Sequence, residues 1–285
     1  MKSIECLQFL NPQLSDMHLK RWITGIVSLP FLFLMIYKGG ALFAISVSII
    51  CFLGLWEYFR IVFNTKGKTI SGIILLLATF VGPVIIWAAY KNALDFIIII
   101  VAFNLIISGL FTLTQFKSDP FILENFTRQI LGIIYIPILL SFLILIRSGA
   151  DGMLWIFFLL FVIFAGDIGA FYVGSYFGCY KLCPSVSPKK TIEGSIGGLS
   201  SNLVVGVIFK YFFLSYLPLG ASILLFLFIG IAGQVGDLFE SALKRSADIK
   251  DSGSILPGHG GILDRIDALL FAAPVAYFFK EFIFC

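Results

Sequence analysis

The sequence predicts an all-α polytopic integral membrane protein, and three observations carry that prediction. Hydrophobic residues make up 59% of the 285-residue chain and charged residues only 13%, against about 45–50% and about 25% in soluble domains. The apolar residues run continuously over segments close to the roughly 20 residues that a helix needs to cross a bilayer, without the alternation of barrel strands. Lysine and arginine fall mostly on one side of the topology those segments define.

Taken in order, about nine transmembrane helices are expected, at 22–38, 41–62, 70–90, 93–115, 128–147, 153–178, 195–216, 219–243 and 262–284. With the N-terminus cytoplasmic, nine spans put the C-terminus outside. Fifteen of the 20 Lys and Arg then lie inside, and Lys38, Lys91, Arg147, Lys210 and Lys280 lie outside. The polar lead-in 1–19 holds a solvated His18, and Lys20 and Arg21 anchor the first span. That span has no small-residue cleavage site and is read as retained. Glu57 and Arg60, spaced i, i+3 at the inner end of the second span, are read as a mutual pair. Gly82-Pro83 marks a kink in the third. Spans three to five carry no visible chemistry. The chain therefore reads as one transmembrane domain, 1–285, with 1–150 mainly scaffold and 153–270 carrying the catalytic helices and cytoplasmic loops. Cys179 and Cys183 are expected to be reduced thiols on the inner side, where glutathione keeps them so. The net charge of +4 needs no nucleic acid to explain it, and a basic inner face attracts anionic lipid.

The sixth span changes character. Asp167 lies in Phe164-Ala165-Gly166-Asp167-Ile168-Gly169-Ala170-Phe171, about 16 Å from the inner end at 1.5 Å per residue. An ionisable group at that depth marks a functional site by default; the alternative is a structural carboxylate bonded to a neighbouring helix. The loop after it reads Ser187-Pro188-Lys189-Lys190-Thr191-Ile192-Glu193-Gly194. Two lysines, two hydroxyls and a glycine-rich helix start suit a phosphate cradle, because backbone N–H groups at a helix N-terminus bind anions and lysines add point charges. The Walker spacing is missing, so this is not a P-loop.

The remaining signal is a charge-dense island, Gly236–Asp267, between two apolar segments. Asp237, Glu240, Ser241 and Lys244 are spaced i, i+3, i+4, i+7 and share one face if the eighth helix continues through them. Glycines surround His259, and Asp264 and Asp267 open the last helix on one face. Carboxylates with Lys244, Arg245, Lys250 and Arg265 nearby suit a divalent cation that shares its shell with phosphate oxygens.

Here the pattern resembles a known family. Ser241-x-x-Lys244-Arg245, then Lys250-Asp251, then Pro257-x-His259-Gly260-Gly261-x-x-Asp264-Arg265-x-Asp267 is similar to the signature of the phosphatidate cytidylyltransferases, or CDP-diacylglycerol synthases. The Ser-Pro-Lys-Lys-Thr-x-Glu-Gly segment recurs in the same family; Ile168 and Phe171 depart from its usual residues. The resemblance implies that CTP and phosphatidate give CDP-diacylglycerol and pyrophosphate. It implies Mg²⁺, with a second cation such as K⁺ as a further expectation, held by Asp237, Asp264 and Asp267, with Asp167 as another candidate ligand. Lys189, Lys190, Lys244 and Arg265 would offset phosphate charge. Ser187, Thr191, Glu193, Gly194, Ser241, Arg245, Lys250, Gly260 and Gly261 would contact substrate. His259 is either a general acid or a turn-fixing residue. The resemblance further implies a multi-pass protein of the inner membrane, with its site facing the cytoplasm and its lipid entering from the bilayer, and a homodimer by analogy. The competing readings are another membrane lipid phosphotransferase or kinase, and a secondary transporter, whose broken helices a buried Asp167 would also suit.

Overall fold

The structure, a computed structural model, describes residues 28–63, 72–118, 120–253, 255 and 260–284. It is a helical bundle. The elements are α1 (Ser28–Lys38), α2 (Gly40–Phe63), α3 (Gly72–Tyr90), α4 (Leu94–Gln115), α5 (Ile122–Ile133), α6 (Leu139–Ser148), α7 (Gly152–Phe177), α8 (Ile192–Phe213), α9 (Leu219–Ser246) and α10 (Leu263–Phe278). A π-helical turn at Ile134–Ile138 joins α5 to α6, and another at Phe279–Ile283 extends α10. Among the described residues six segments are long and apolar enough to cross a membrane: α2, α4, α5 through α6, α7, α8 and α9. The other three expected spans correspond to α1, α3 and α10, which are shorter as apolar helices over the described residues. Large apolar side chains such as Phe31, Ile98, Phe103, Leu113 and Phe212 face outward, as a lipid-facing surface requires.

One element departs from the all-helical reading. The loop after the sixth expected span folds as an antiparallel hairpin, β1 (Lys181–Cys183) with β2 (Ser187–Thr191), pairing Lys181 with Thr191 and Cys183 with Ser187. Its strands are too short and too polar to show alternation.

The bundle core lies between α2, α6, α7, α9 and α10, where Tyr58, Phe59, Trp155, Phe158 and Phe226 are fully buried. α7 and α8 approach closely because small residues line their seam. A Cβ on Gly169 would stand 2.9 Å from the Gly197 carbonyl, and one on Gly174 would stand 3.4 Å from the Gly194 Cα. α9 crosses α10 in the same way, with Gly236 against the backbone of Asp267. α9 runs unbroken to Ser246, so the charged face expected from its spacing is a helix face.

Candidate active site

The hairpin ends where α8 begins. Thr191 caps that helix: its Oγ1 accepts a hydrogen bond from the Gly194 N–H at 3.1 Å. β2 therefore delivers Lys189 and Lys190 to the positive end of a helix dipole. Glu193 ties the same corner together, accepting from the backbone N–H groups of Cys179 and Tyr180 at 3.1 and 3.2 Å.

Beneath the hairpin lies a cavity of about 420 Å³ between α7, α8 and α9. Its lining includes Asp167, Lys189, Lys190, Thr191, Gly194, Ser195, Gln234 and Asp237 together with the apolar Ile163, Phe171, Leu182, Ile229 and Leu238. Lys190 Nζ pairs with Asp237 at 2.5 Å, both about a third exposed. Asp167 and Asp267 each lie close enough to Asp237 to feel its repulsion, and Asp167 also senses Lys190 and Arg265. Ser195 and Gln234 lock α8 to α9, with Gln234 Nε2 donating to the Ser195 carbonyl at 3.0 Å and the Ser195 hydroxyl to Gln234 Oε1.

A second cluster sits where the loop after α9 meets α10. Lys244 bridges Glu240 at 2.5 Å and Asp264 at 2.6 Å, and all three side chains are nearly buried. Asp264 Oδ2 accepts from Gly261 N at 2.8 Å, from Ser252 N at 3.0 Å and lies 2.9 Å from the Ser252 hydroxyl. Gly260 has φ +84°, a conformation that suits glycine, and this turn lets Gly261 reach the carboxylate.

The expected residues thus separate into two groups. Asp167, Asp237, Lys189, Lys190, Thr191 and Gly194 meet at the cavity. Lys244, Asp264, Gly260 and Gly261 meet in the loop cluster, and Asp267, one turn further along α10, is half-buried with its Oδ1 on the Ala268 N–H. Arg265 and Lys250 are exposed, Ser241 is half-buried on α9, and Ser187 opens β2. Arg245 fastens the end of α9, donating to the carbonyls of Val186 at 3.3 Å and Ile249 at 2.9 Å. His259 lies outside the described residues. The expected Glu57–Arg60 pair is not formed. Glu57 instead accepts from Ser252 Oγ, Ile262 N and Leu263 N, and Arg60 donates to the Ser252 carbonyl. The preference is physical, since backbone N–H groups at a helix start meet the carboxylate inside the fold. Glu57, Ser252, Ser195 and Gln234 were not singled out as site residues. Of these, only Glu57 and Gln234 carry a local signal, as polar side chains inside apolar runs.

The chain matches the model of the cytidylyltransferase family over residues 19–283. The chain belongs to that family. The phosphatidate cytidylyltransferase of Bacillus subtilis (strain 168) is 35% identical over 277 residues, covering 91% of this chain and 96% of that protein. The enzyme of the same name from Staphylococcus aureus (strain COL) is 32% identical over 265 residues, covering 90% and 96%. That from Synechocystis sp. (strain ATCC 27184 / PCC 6803 / Kazusa) is 31% identical over 297 residues, covering 91% and 95%.

Against this cytidylyltransferase background the four expected metal ligands differ in fitness. Both Asp264 oxygens are taken by Lys244, Ser252 and Gly261. Asp237 and Asp167 line the cavity, and the ammonium of Lys190 already sits against Asp237; Asp267 Oδ1 accepts from the Ala268 N–H at 2.8 Å. Among the described residues no three His, Cys, Asp or Glu side chains converge closely enough to hold a metal ion.

Proposed function

We propose that this chain transfers the cytidylyl group of CTP to phosphatidate, forming CDP-diacylglycerol and releasing pyrophosphate. The observation that carries the reading is the cavity between α7, α8 and α9. Its lining combines Lys189, Lys190, Thr191, Asp237 and Asp167 with the apolar Ile163, Phe171, Leu182, Ile229 and Leu238. A phosphate-bearing lipid and a nucleotide triphosphate together need both kinds of side chain.

In the reaction an oxygen of the phosphatidate phosphate attacks the α-phosphorus of CTP. The bond from that phosphorus to the bridging oxygen breaks, and its electrons leave with pyrophosphate. The attacking group is already an anion, so no base has to remove a proton. The barrier is the approach of like charges, and catalysis comes from alignment and charge neutralisation. Lys189 and Lys190, at the start of α8, hold the triphosphate. Lys244, fixed between Glu240 and Asp264, and Arg265 offset charge from the α9–α10 side. Asp237, with Asp167 or Asp267 as a second carboxylate, would hold a Mg²⁺ that takes its other ligands from water and substrate and when bound neutralises phosphate oxygens. The lipid tails lie along the apolar residues.

The membrane arrangement belongs to the same proposal. Nine spans with the N-terminus inside and the C-terminus outside put this site at the cytoplasmic face of the inner membrane. Residues 153–270 form the catalytic part of one transmembrane domain on a 1–150 scaffold, because all the cavity-lining residues fall between 163 and 268. A groove on the outer α7–α8 face, lined by Ala165, Ile168, Gly169, Tyr172, Ile196 and Ser200, offers small residues for a homodimer contact.

The deciding experiment is pyrophosphate release by the purified protein in detergent with CTP and Mg²⁺, with and without phosphatidate, using ATP and GTP as controls. Release that requires both CTP and phosphatidate is expected. Release independent of the lipid, or equal with ATP, would reject the reading.

A further inference from the structure

Glu57 lies in α2, in the part of the chain read as scaffold, yet it is only 1% exposed and its carboxylate reaches the α9–α10 loop. Oε1 accepts from Ile262 N at 3.1 Å. Oε2 accepts from Leu263 N at 2.9 Å and lies 2.9 Å from Ser252 Oγ. Among the described residues no ion pair to Glu57 is formed. A buried carboxylate without a cation beside it is tolerated only where hydrogen-bond donors replace its water, and two of these donors are amides at the very start of α10.

Ser252, itself fully buried, is where this carboxylate meets the charged cluster. Its hydroxyl lies 2.9 Å from both Glu57 Oε2 and Asp264 Oδ2. Its N–H donates to Asp264 at 3.0 Å, and its carbonyl accepts from Arg60, one turn after Glu57, at 2.7 Å. Asp264 in turn holds Lys244 at 2.6 Å. The glycines around this point are shaped to it. A Cβ on Gly253 would strike the Glu57 carboxylate, and one on Gly261 would strike both Glu57 and Ser252. The contact therefore holds Ser252 and the start of α10 through backbone groups, across 195 residues of sequence.

We infer that Glu57 is a positioning residue for the transfer reaction: it holds Ser252 against the start of α10 and, through Ser252 and Asp264, sets the place of the Lys244 ammonium. This rests on the cytidylyltransferase reading for its catalytic meaning. Glu57 touches no phosphate; it acts by removing the freedom of the groups that do.

The test uses the full-length protein in detergent, comparing wild type with Glu57→Gln and Ser252→Ala. Two quantities are read: steady-state kinetics with CTP and phosphatidate, and the rate of reductive methylation of Lys244 against Lys189, resolved by peptide mass spectrometry. In both variants kcat is expected to fall by about tenfold or more with KM for CTP changed less than about threefold, as for loss of a transition-state interaction. Methylation of Lys244 should rise several-fold while Lys189 keeps its rate. Glu57→Gln combined with Asp264→Asn should fall short of the product of the single effects, because residues acting through one link are not additive.

Should Glu57→Gln not fold, Ser252→Ala decides, since it removes one hydroxyl and little volume. Folded variants with wild-type kcat and wild-type Lys244 methylation would overturn the inference. So would a lowered melting temperature with both quantities unchanged, which would make Glu57 a packing residue. If wild type releases no pyrophosphate from any nucleotide, the reading of the reaction fails on its own, and the methylation rates still decide whether Glu57 sets Lys244.

Discussion

Lys244 is the side chain on which most charge at the α9–α10 junction depends. It stands between Asp264 and a Glu240 that is fully buried. Removing the lysine leaves two carboxylates facing each other out of water, and breaking a buried pair in this way costs about 3–5 kcal/mol. Removing Asp264 alone leaves Lys244 its partner Glu240. Lys244→Met should therefore lower the melting temperature in detergent more than Asp264→Asn does, and adding Glu240→Gln to Lys244→Met should recover part of the loss. If Asp264→Asn proves the more destabilising, its bonds to Ser252 and Gly261 outweigh the ion pair. At the cavity the roles are more exposed and less structural. Lys190 and Asp237 are each about a third accessible, so Lys190→Gln should leave the melting temperature within a few degrees. It should lower kcat/KM for CTP by about tenfold to a hundredfold, the scale of one charged contact to phosphate. Wild-type kinetics in that variant would remove Lys190 from the cradle. The sequence makes the cavity residues legible because Asp167 is a charge inside an apolar run, Lys190 sits in a basic loop before a glycine-rich helix start, and Asp237 opens a charge-dense island. It hides the Glu57 contact, because no local spacing reports a partner 195 residues away.

At the scale of elements, the hairpin and the start of α8 act as one piece, joined by the Thr191 cap and the Glu193 bridge. Loss of an N-cap side chain costs about 1 kcal/mol, so Thr191→Ala should reduce both stability and CTP use, whereas Thr191→Ser keeps the acceptor and should restore both. Equal behaviour of the two variants would place the importance of Thr191 in its methyl group. The α7–α8 seam makes a stricter demand. A side chain on Gly169 would run into Ser201 and the Gly197 carbonyl. Gly169→Leu should force the helices apart and abolish activity together with the cooperative melt. The helices themselves were readable from apolar length, and the ends of α2, α4 and α7 fall within two residues of expectation. The hairpin was not, because five-residue and three-residue strands carrying Lys181, Lys189 and Lys190 show neither alternation nor an apolar face.

At the scale of the molecule, the orientation of the bundle decides whether the cavity can meet a soluble nucleotide at all. Fifteen of the 20 Lys and Arg fall on one side of a nine-span arrangement, and only an odd number of crossings separates the two termini. The proposed arrangement would put the β1–β2 hairpin with the cavity on the inner side. Cys179 is exposed and Cys183 half-buried at that hairpin, which makes them native reporters of sidedness. With Cys6, Cys51 and Cys285 changed to Ser, a membrane-impermeant maleimide should label these thiols in inside-out vesicles and leave them untouched in intact cells. A cysteine introduced at Glu281, whose side chain is about a third exposed, should show the reverse pattern. Labelling of the hairpin from outside would invert the topology and separate the cavity from cytoplasmic nucleotide. Labelling of both sites from the same side would mean an even number of crossings between them, so that one of α8, α9 or α10 does not span. Because α10 has only 16 residues before its π-helical turn, it is the helix on which that second outcome would bear.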